Sequence, residues 1–387
     1  MTFTVLAVIM AAGLAGPLLA TPRNWHLPVV LGELLVGIAL GATGIGYLKP
    51  HEAVFTVLAN IGFGLVMFVA GSHVSLRDPS MRPALPSGAL RALAVGVIAL
   101  GAAALINATL HTGHVPLYAV LMASSSAALV LPIMESLGLG GPAVVGLLPQ
   151  VALADAACIV ALPLVIDPAN AGRAAIGAAA VIAAAAVVFL LFRWLERSGI
   201  RRRVHRVSED RRFAVELRVS LVVLFALAAL AVRTHVSIML AGFSLGLAVA
   251  AVGPPRRLTR QLFALTEGFL GPVFFIWLGA SLNLRDLGSH SHFIVVGLAL
   301  GLGAGVSHLA MRVLGQPVSL GLLGAAQLGV PVAAATIGTQ LGVLAAGEAA
   351  ALILGGLVCI GLAVLGGALA ARAGLVPSAA KPEPVAE

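Results

Sequence analysis

Asp155 stands about midway along an otherwise apolar stretch, residues 141–166, and its nearest formal charges in the chain are Glu135 and Asp167. Inside a membrane a carboxylate at that depth costs roughly 2.5–3.5 kcal/mol, so it should face protein or water rather than lipid. Burial penalises the charged form, and uptake of a proton or a metal cation neutralises it. The plain structural alternative is an aspartate bonded to a serine or a backbone amide in a packed bundle. Its depth favours a functional role, because no other acidic residue lies so far inside an apolar run.

Two further stretches offer oxygen atoms. Ser124, Ser125 and Ser126 precede Pro132, and Gln327, Gly329 and Pro331 precede Thr336, Gly338, Thr339 and Gln340. Proline removes an intrahelical hydrogen bond and glycine relaxes the backbone, so both stretches are candidates for broken helices whose freed carbonyls line a cavity. Hydroxyls and carbonyls are hard ligands, suited to an alkali cation beside a carboxylate. For the serines this reading is preferred over simple close packing. For Gln327, Gly329, Pro331 and Thr336 both readings stay open. Glu33 and Glu267 lie nearer the ends of their runs and read as helix-end partners or secondary titrating groups. His308, four residues before Arg312, reads first as an interfacial histidine and second as a proton-linked group. Cys158 follows Asp155 by one turn, but no second Cys or His is near it in sequence, so a soft-metal site is not supported. No cofactor is expected, and the metal at Asp155 would be a monovalent cation in transit.

The elements that must hold these groups are membrane helices. The 387 residues are 60% hydrophobic and 10% charged, with a mean hydropathy of +1.07. A soluble protein carries about 25% charged residues, so a water-soluble enzyme is excluded. Runs able to cross about 30 Å of hydrocarbon fall near 2–20, 27–48, 52–73, 88–110, 115–137, 141–166, 173–193, 213–232, 235–252, 262–282, 290–311, 317–341 and 347–371. The first lacks the basic leader of a signal peptide and is read as a span. The fold class is therefore an all-α polytopic membrane protein of thirteen spans.

The net charge of +8 does not indicate a nucleic-acid partner, because the basic residues cluster in connections between spans. The basic loop 194–212 should be cytoplasmic. Alternate loops then hold 19 of the Lys and Arg residues on that side and 4 on the other, which places the N-terminus outside and the C-terminus inside. The sequence G-x4-L-R-D beginning at Gly71 recurs at Gly279, and copies seven spans apart run in opposite directions. That pattern predicts an inverted-topology repeat.

These residues, in this order, resemble the membrane domain of the monovalent cation:proton antiporters. The similarity is to the second branch, which contains bacterial sodium/proton exchangers and Kef-type potassium/proton systems. Four stretches carry it: Leu27 to Gly41 with Gly32-Glu33 and Gly37; Gly62 to Asp78; Ser124 to Asp155; and Gly268 to Asp286 with Phe274-Phe275. The resemblance implies an antiporter domain over residues 1–372, with a mobile core near 88–166 and 290–371 and a dimerisation panel from the other spans. It implies that spans five and twelve cross as broken helices, that Asp155 binds the ion or the proton, that Ser124 to Ser126 replace the family's Ser and Thr run, and that the protein is a homodimer in the bacterial inner membrane.

The departures carry meaning too. Ala154 stands where relatives place Asp, Asn or Gln, which argues for electroneutral exchange at a single carboxylate. Leu328-Gly329-Val330 replaces an Arg-Gly-Glu-like run, and the glycine-rich stretch 301–305 occupies the place of a basic residue in span eleven. The tail 373–387 is read as short and disordered, too short for a nucleotide-binding regulatory domain. Competing functions are a cation channel or uniporter on the same scaffold, and a transporter of another small solute.

Overall fold

In a computed structural model, residues 1–21, 29–72, 83–199, 213–234, 236–253, 256–282, 284–289, 291–327 and 329–375 are described. Among them, ten helices are long and apolar enough to cross a membrane, and three shorter apolar helices, Val29–Leu40, Val115–Leu131 and Ile238–Val252, bring the total to the expected thirteen. Most of the basic loop, residues 200–212, the first copy of the repeated motif from His73 onward, and the tail from 376 lie outside the described residues.

Hydropathy placed the runs correctly but could not see where the helical backbone stops inside them. Span two ends at Leu40 rather than near residue 48. Glycines 41, 44 and 46 let the chain turn there, with Gly46 at φ 69°, and the turn closes through Ile45 N–H to Ala39 O at 2.9 Å and Leu48 N–H to Leu40 O at 2.9 Å. Trp277 on span ten anchors the turn's exit by donating its indole N–H to Pro50 O at 2.8 Å. Span ten is itself interrupted: helix Arg256–Leu265 passes through a π-helical turn, Thr266–Leu270, into helix Gly271–Ser281. Wide turns of that kind are frequent at functional sites.

Span four (Leu85–Leu110), span five, span six (Leu147–Ile166 after a short turn at Pro142–Val145), span eleven (Ser291–Leu309), span twelve and span thirteen (Glu348–Arg372) pack on one another. Spans one to three pack with spans nine and ten. In lipid, apolar surface gives helices little reason to associate, and small residues that allow close backbone approach supply the contact. Span three (Ala53–Ser72) against span nine (Ile238–Val252) shows this directly, because a Cβ at Gly242 would strike Gly64 O and one at Gly246 would strike Phe68 O. The outer faces carry the lipid-exposed bulk, for example Leu93, Ile176 and Val222 at 68%, 74% and 67% exposure.

Gly242→Val should accordingly separate spans three and nine, at a cost of about 1–3 kcal/mol for overpacking. Its midpoint of thermal unfolding in detergent should fall clearly below that of the parent. An unchanged midpoint would show that the backbones do not approach this closely.

Candidate ion-binding site where two interrupted helices cross

Span five is two helices, Val115–Ala123 and Ala127–Ser136, and the break lies at the serines. Ser124 and Ser126 are extended, with φ, ψ of −66°, 146° and −121°, 110°. Pro132 sits inside the second helix, so it does not cause the break. Span twelve is likewise two helices, Val318–Gly324 and Gly329–Leu341. Pro331 is the third residue of the second one, in the first turn where a missing N–H costs nothing.

A hydroxyl and a freed amide of the span five break satisfy freed carbonyls of the span twelve break. Ser125 Oγ donates to Gly324 O at 2.6 Å, and Ser126 N–H donates to Ala326 O at 2.7 Å. All three serines are buried. Asp155, 6% exposed, reaches the same point from span six and accepts the Ala127 N–H through Oδ2 at 3.1 Å. Ala127 opens a ten-residue helix, and the positive end of a helix dipole favours a negative group at that place. The structural alternative for Asp155, a bond to a backbone amide, is therefore realised in geometry. It is compatible with ion binding, since one amide leaves the carboxylate's remaining acceptor capacity unused.

The other sequence candidates do not gather here. Gln327 is buried, but its Nε2 donates to Cys359 Sγ at 3.0 Å, which turns the amide toward span thirteen, and its Oε1 has no partner among the described residues. Gly329 begins the second half of span twelve, and Thr336 lies further along it on the wall of a different cavity. His308 is not interfacial. It is 1% exposed, and its Nδ1 lies 3.0 Å from Ala304 O one turn earlier in span eleven. The nearness of Arg312 in sequence suggested a surface position, but residues 310–314 form a further helical turn that carries the arginine onward. Cys158 is a buried free thiol, and among the described residues no group of three His, Cys, Asp or Glu side chains could hold a metal ion.

Glu33 also departs from expectation. It is 4% exposed, set inside a cavity of about 430 Å³ whose wall includes Glu267, Glu135, Ser126 and Ala127. A second cavity of about 620 Å³ is lined by Asn60, Asp167, Asn170, Arg173 and Thr336. Phe63, Phe274 and Val332 belong to the walls of both, and the two rings stack with centroids 4.8 Å apart. An aromatic layer thus stands between two cavities, beside the crossing. Sequence reasoning missed this role, although both phenylalanines lie in stretches that carried the resemblance.

Also missed was a polar tie between spans five and thirteen. Glu348, 2% exposed, accepts from Tyr118 Oη at 2.7 Å and from Ala345 N–H at 2.9 Å, and its Oε1 lies 2.6 Å from His114 Nδ1. Both ends sit at the boundary of an apolar run, where a charged residue reads as solvated.

Comparison with known proteins gives this geometry a context. The chain is 23% identical over 370 residues to the putative Na(+)/H(+) antiporter YjbQ of Bacillus subtilis, an alignment covering 90% of this chain and 60% of that one. This chain thus spans less than two thirds of that relative's length. It is 24% identical over 346 residues to the probable Na(+)/H(+) antiporter 3 of Methanocaldococcus jannaschii, covering 83% and 85%. The fold matches the structure of the sodium proton antiporter MjNhaP1 of M. jannaschii at pH 8, with a TM-score of 0.65, 17% identity and coverage of 96% and 97%. An electron-microscopy structure of the same antiporter gives 0.66 at 18% identity, covering 99% and 100%. The family described as "Sodium/hydrogen exchanger, transmembrane" matches residues 5–371, nearly the whole chain, and the protein belongs to that family.

Proposed function

We propose that the protein is a secondary active antiporter that exchanges a monovalent cation, sodium or potassium, for protons by alternating access at Asp155. The observation that supports this most is the meeting of one buried carboxylate with the crossing of two interrupted helices. Proton and cation compete for the same oxygens, with Ser124, Ser125 and Ser126 beside them as neutral ligands. Spans four to six and eleven to thirteen move as a core against the other spans, and two chains pair through that panel. The branch assignment follows the motifs, and with Ala154 in place of a second polar group it favours electroneutral, one-for-one exchange.

Purified protein in liposomes tests the reading. A cation gradient should drive opposite proton movement that a pH-sensitive dye reports, and an imposed membrane potential under matched ion gradients should drive none. Dissipation of either gradient alone would indicate a channel. Voltage-driven cation uptake would require a second titrating group in the cycle.

The orientation, N-terminus outside and C-terminus in the cytoplasm of a bacterial inner membrane, rests on the 19 to 4 distribution of basic residues. A cysteine placed within 200–206 should react only from the cytoplasm and one beside Arg233 only from the opposite side. The native thiols, Cys158 and Cys359, are both buried, so background labelling is low. Labelling of both positions from one side would overturn the topology.

A further inference from the structure

We infer that Glu33, facing Glu267, forms a second cation-binding site in the cavity that leads to Asp155, where the cation is held with part of its water shell before it enters the crossing. This rests on the antiport reading above and adds a site to it. Glu33 belongs to the apolar helix Val29–Leu40, and it is buried among Leu, Val and Phe side chains rather than at a helix end. No described residue hydrogen-bonds its carboxylate or pairs with it as a cation. Glu267, exposed on the wall of the same cavity, acts on it with like charge. A buried carboxylate in this state is neutralised by a proton or by a cation, and the cavity beside it leaves room for a cation.

The composition of the cavity points the same way. Its described walls carry three carboxylates, Glu33, Glu135 and Glu267, and no Lys, Arg or His. The second cavity differs, since its wall carries Arg173 as well as Asp167. Glu267 sits in the π-helical turn Thr266–Leu270, where the widened backbone breaks the regular register of span ten. Thr266 in the same turn is fully buried, and its Oγ1 has no partner among the described residues.

Position connects this site to the first. The cavity reaches Ser126 and Ala127, and the Ala127 amide is the one that holds Asp155. The stacked Phe63 and Phe274 rings separate it from the second cavity. A cation leaving Glu33 therefore meets serine oxygens and then Asp155. With about 430 Å³ of space, against a water's share of roughly 30 Å³, the cation keeps water around it. Charge, rather than a close fit, selects it, so this site should distinguish poorly between sodium and potassium.

The test is equilibrium binding of radioactive sodium and, separately, radioactive rubidium to purified Asp155→Asn protein in detergent, with wild-type exchange measured in parallel. Asp155→Asn should still bind both ions, with affinities within about threefold of each other, as expected where the field rather than the cavity size decides. Adding Glu33→Gln, or independently Glu267→Gln, should weaken that binding by about tenfold or more, equivalent to about 1.4 kcal/mol. Both are neutral isosteres that remove a charge from an apolar setting, and a monodisperse elution profile checks folding. If Asp155→Asn binds neither ion, or if the double variants bind as well as Asp155→Asn, the second site does not exist. Failure of wild-type exchange with intact binding would instead refute the antiport reading while leaving the site standing.

Discussion

Asp155→Asn yields protein that folds, inserts and elutes as the parent does, yet exchanges cation for protons at least about a hundredfold more slowly, a loss of about 2.7 kcal/mol of transition-state stabilisation or more. The separation of folding from transport follows from the geometry. Asp155 accepts one backbone N–H, that of Ala127, at the start of the second half of span five. The amide oxygen of an asparagine can accept the same hydrogen bond, so the helix cap survives, whereas the group that alternates between proton and cation does not. Asp155→Ala removes both and should lose an additional amount of stability near 0.5–2 kcal/mol, the usual cost of deleting an N-terminal cap. The pair of variants therefore divides the two roles. Proteoliposomes with an internal pH dye report transport, and thermal unfolding in detergent reports the cap. Wild-type exchange in Asp155→Asn would reduce Asp155 to a structural capping residue.

Glu348→Ala has the second large effect, and it falls on stability. Glu348 joins the first half of span five to the start of span thirteen through Tyr118 and His114, which are 230 and 234 residues away in sequence. Truncation leaves the Tyr118 hydroxyl buried without its acceptor and removes the partner of the partly exposed His114, so a cost of about 1–3 kcal/mol is expected, as for a buried polar group deprived of its hydrogen bond. The tie should also depend on pH. The hydrogen bond to the Glu348 carboxylate raises His114 above the ordinary histidine value, against the opposing effect of partial burial, with the nearby negative charge adding to the rise. The native state thus binds the His114 proton more tightly than the unfolded chain does. Its contribution is complete below the ordinary histidine value and is lost as pH rises through the raised one. The unfolding midpoint of the parent should fall over that window, and that of His114→Gln should lose this component. A parent whose midpoint is flat there would show that the proton is not shared with Glu348.

These two groups illustrate how differently residues announce themselves. Asp155 was visible because its cost in an apolar run is a local property that any window of the sequence displays. The serine break is visible for a related reason, since three small hydroxyl residues in a row weaken helical continuity, although Pro132, the helix breaker that follows them in sequence, lies within helix. Glu348 and His114 gave no signal, because each stands at the end of an apolar run where solvent is the default partner.

The sequence by itself determined the thirteen crossings, the all-helical class, the mid-span carboxylate Asp155 and the serine break in span five, since hydropathy and backbone chemistry act within a few turns of one helix. The tertiary structure alone decided what meets what. It brought Ser125 to Gly324 and Ser126 to Ala326, buried Glu33 and His308, and stacked Phe63 on Phe274 between two cavities. Each of these depends on how helices far apart in the chain cross. In lipid that crossing is set by close packing at small residues such as Gly64 and Gly242, where steric fit rather than hydrophobicity selects the neighbour.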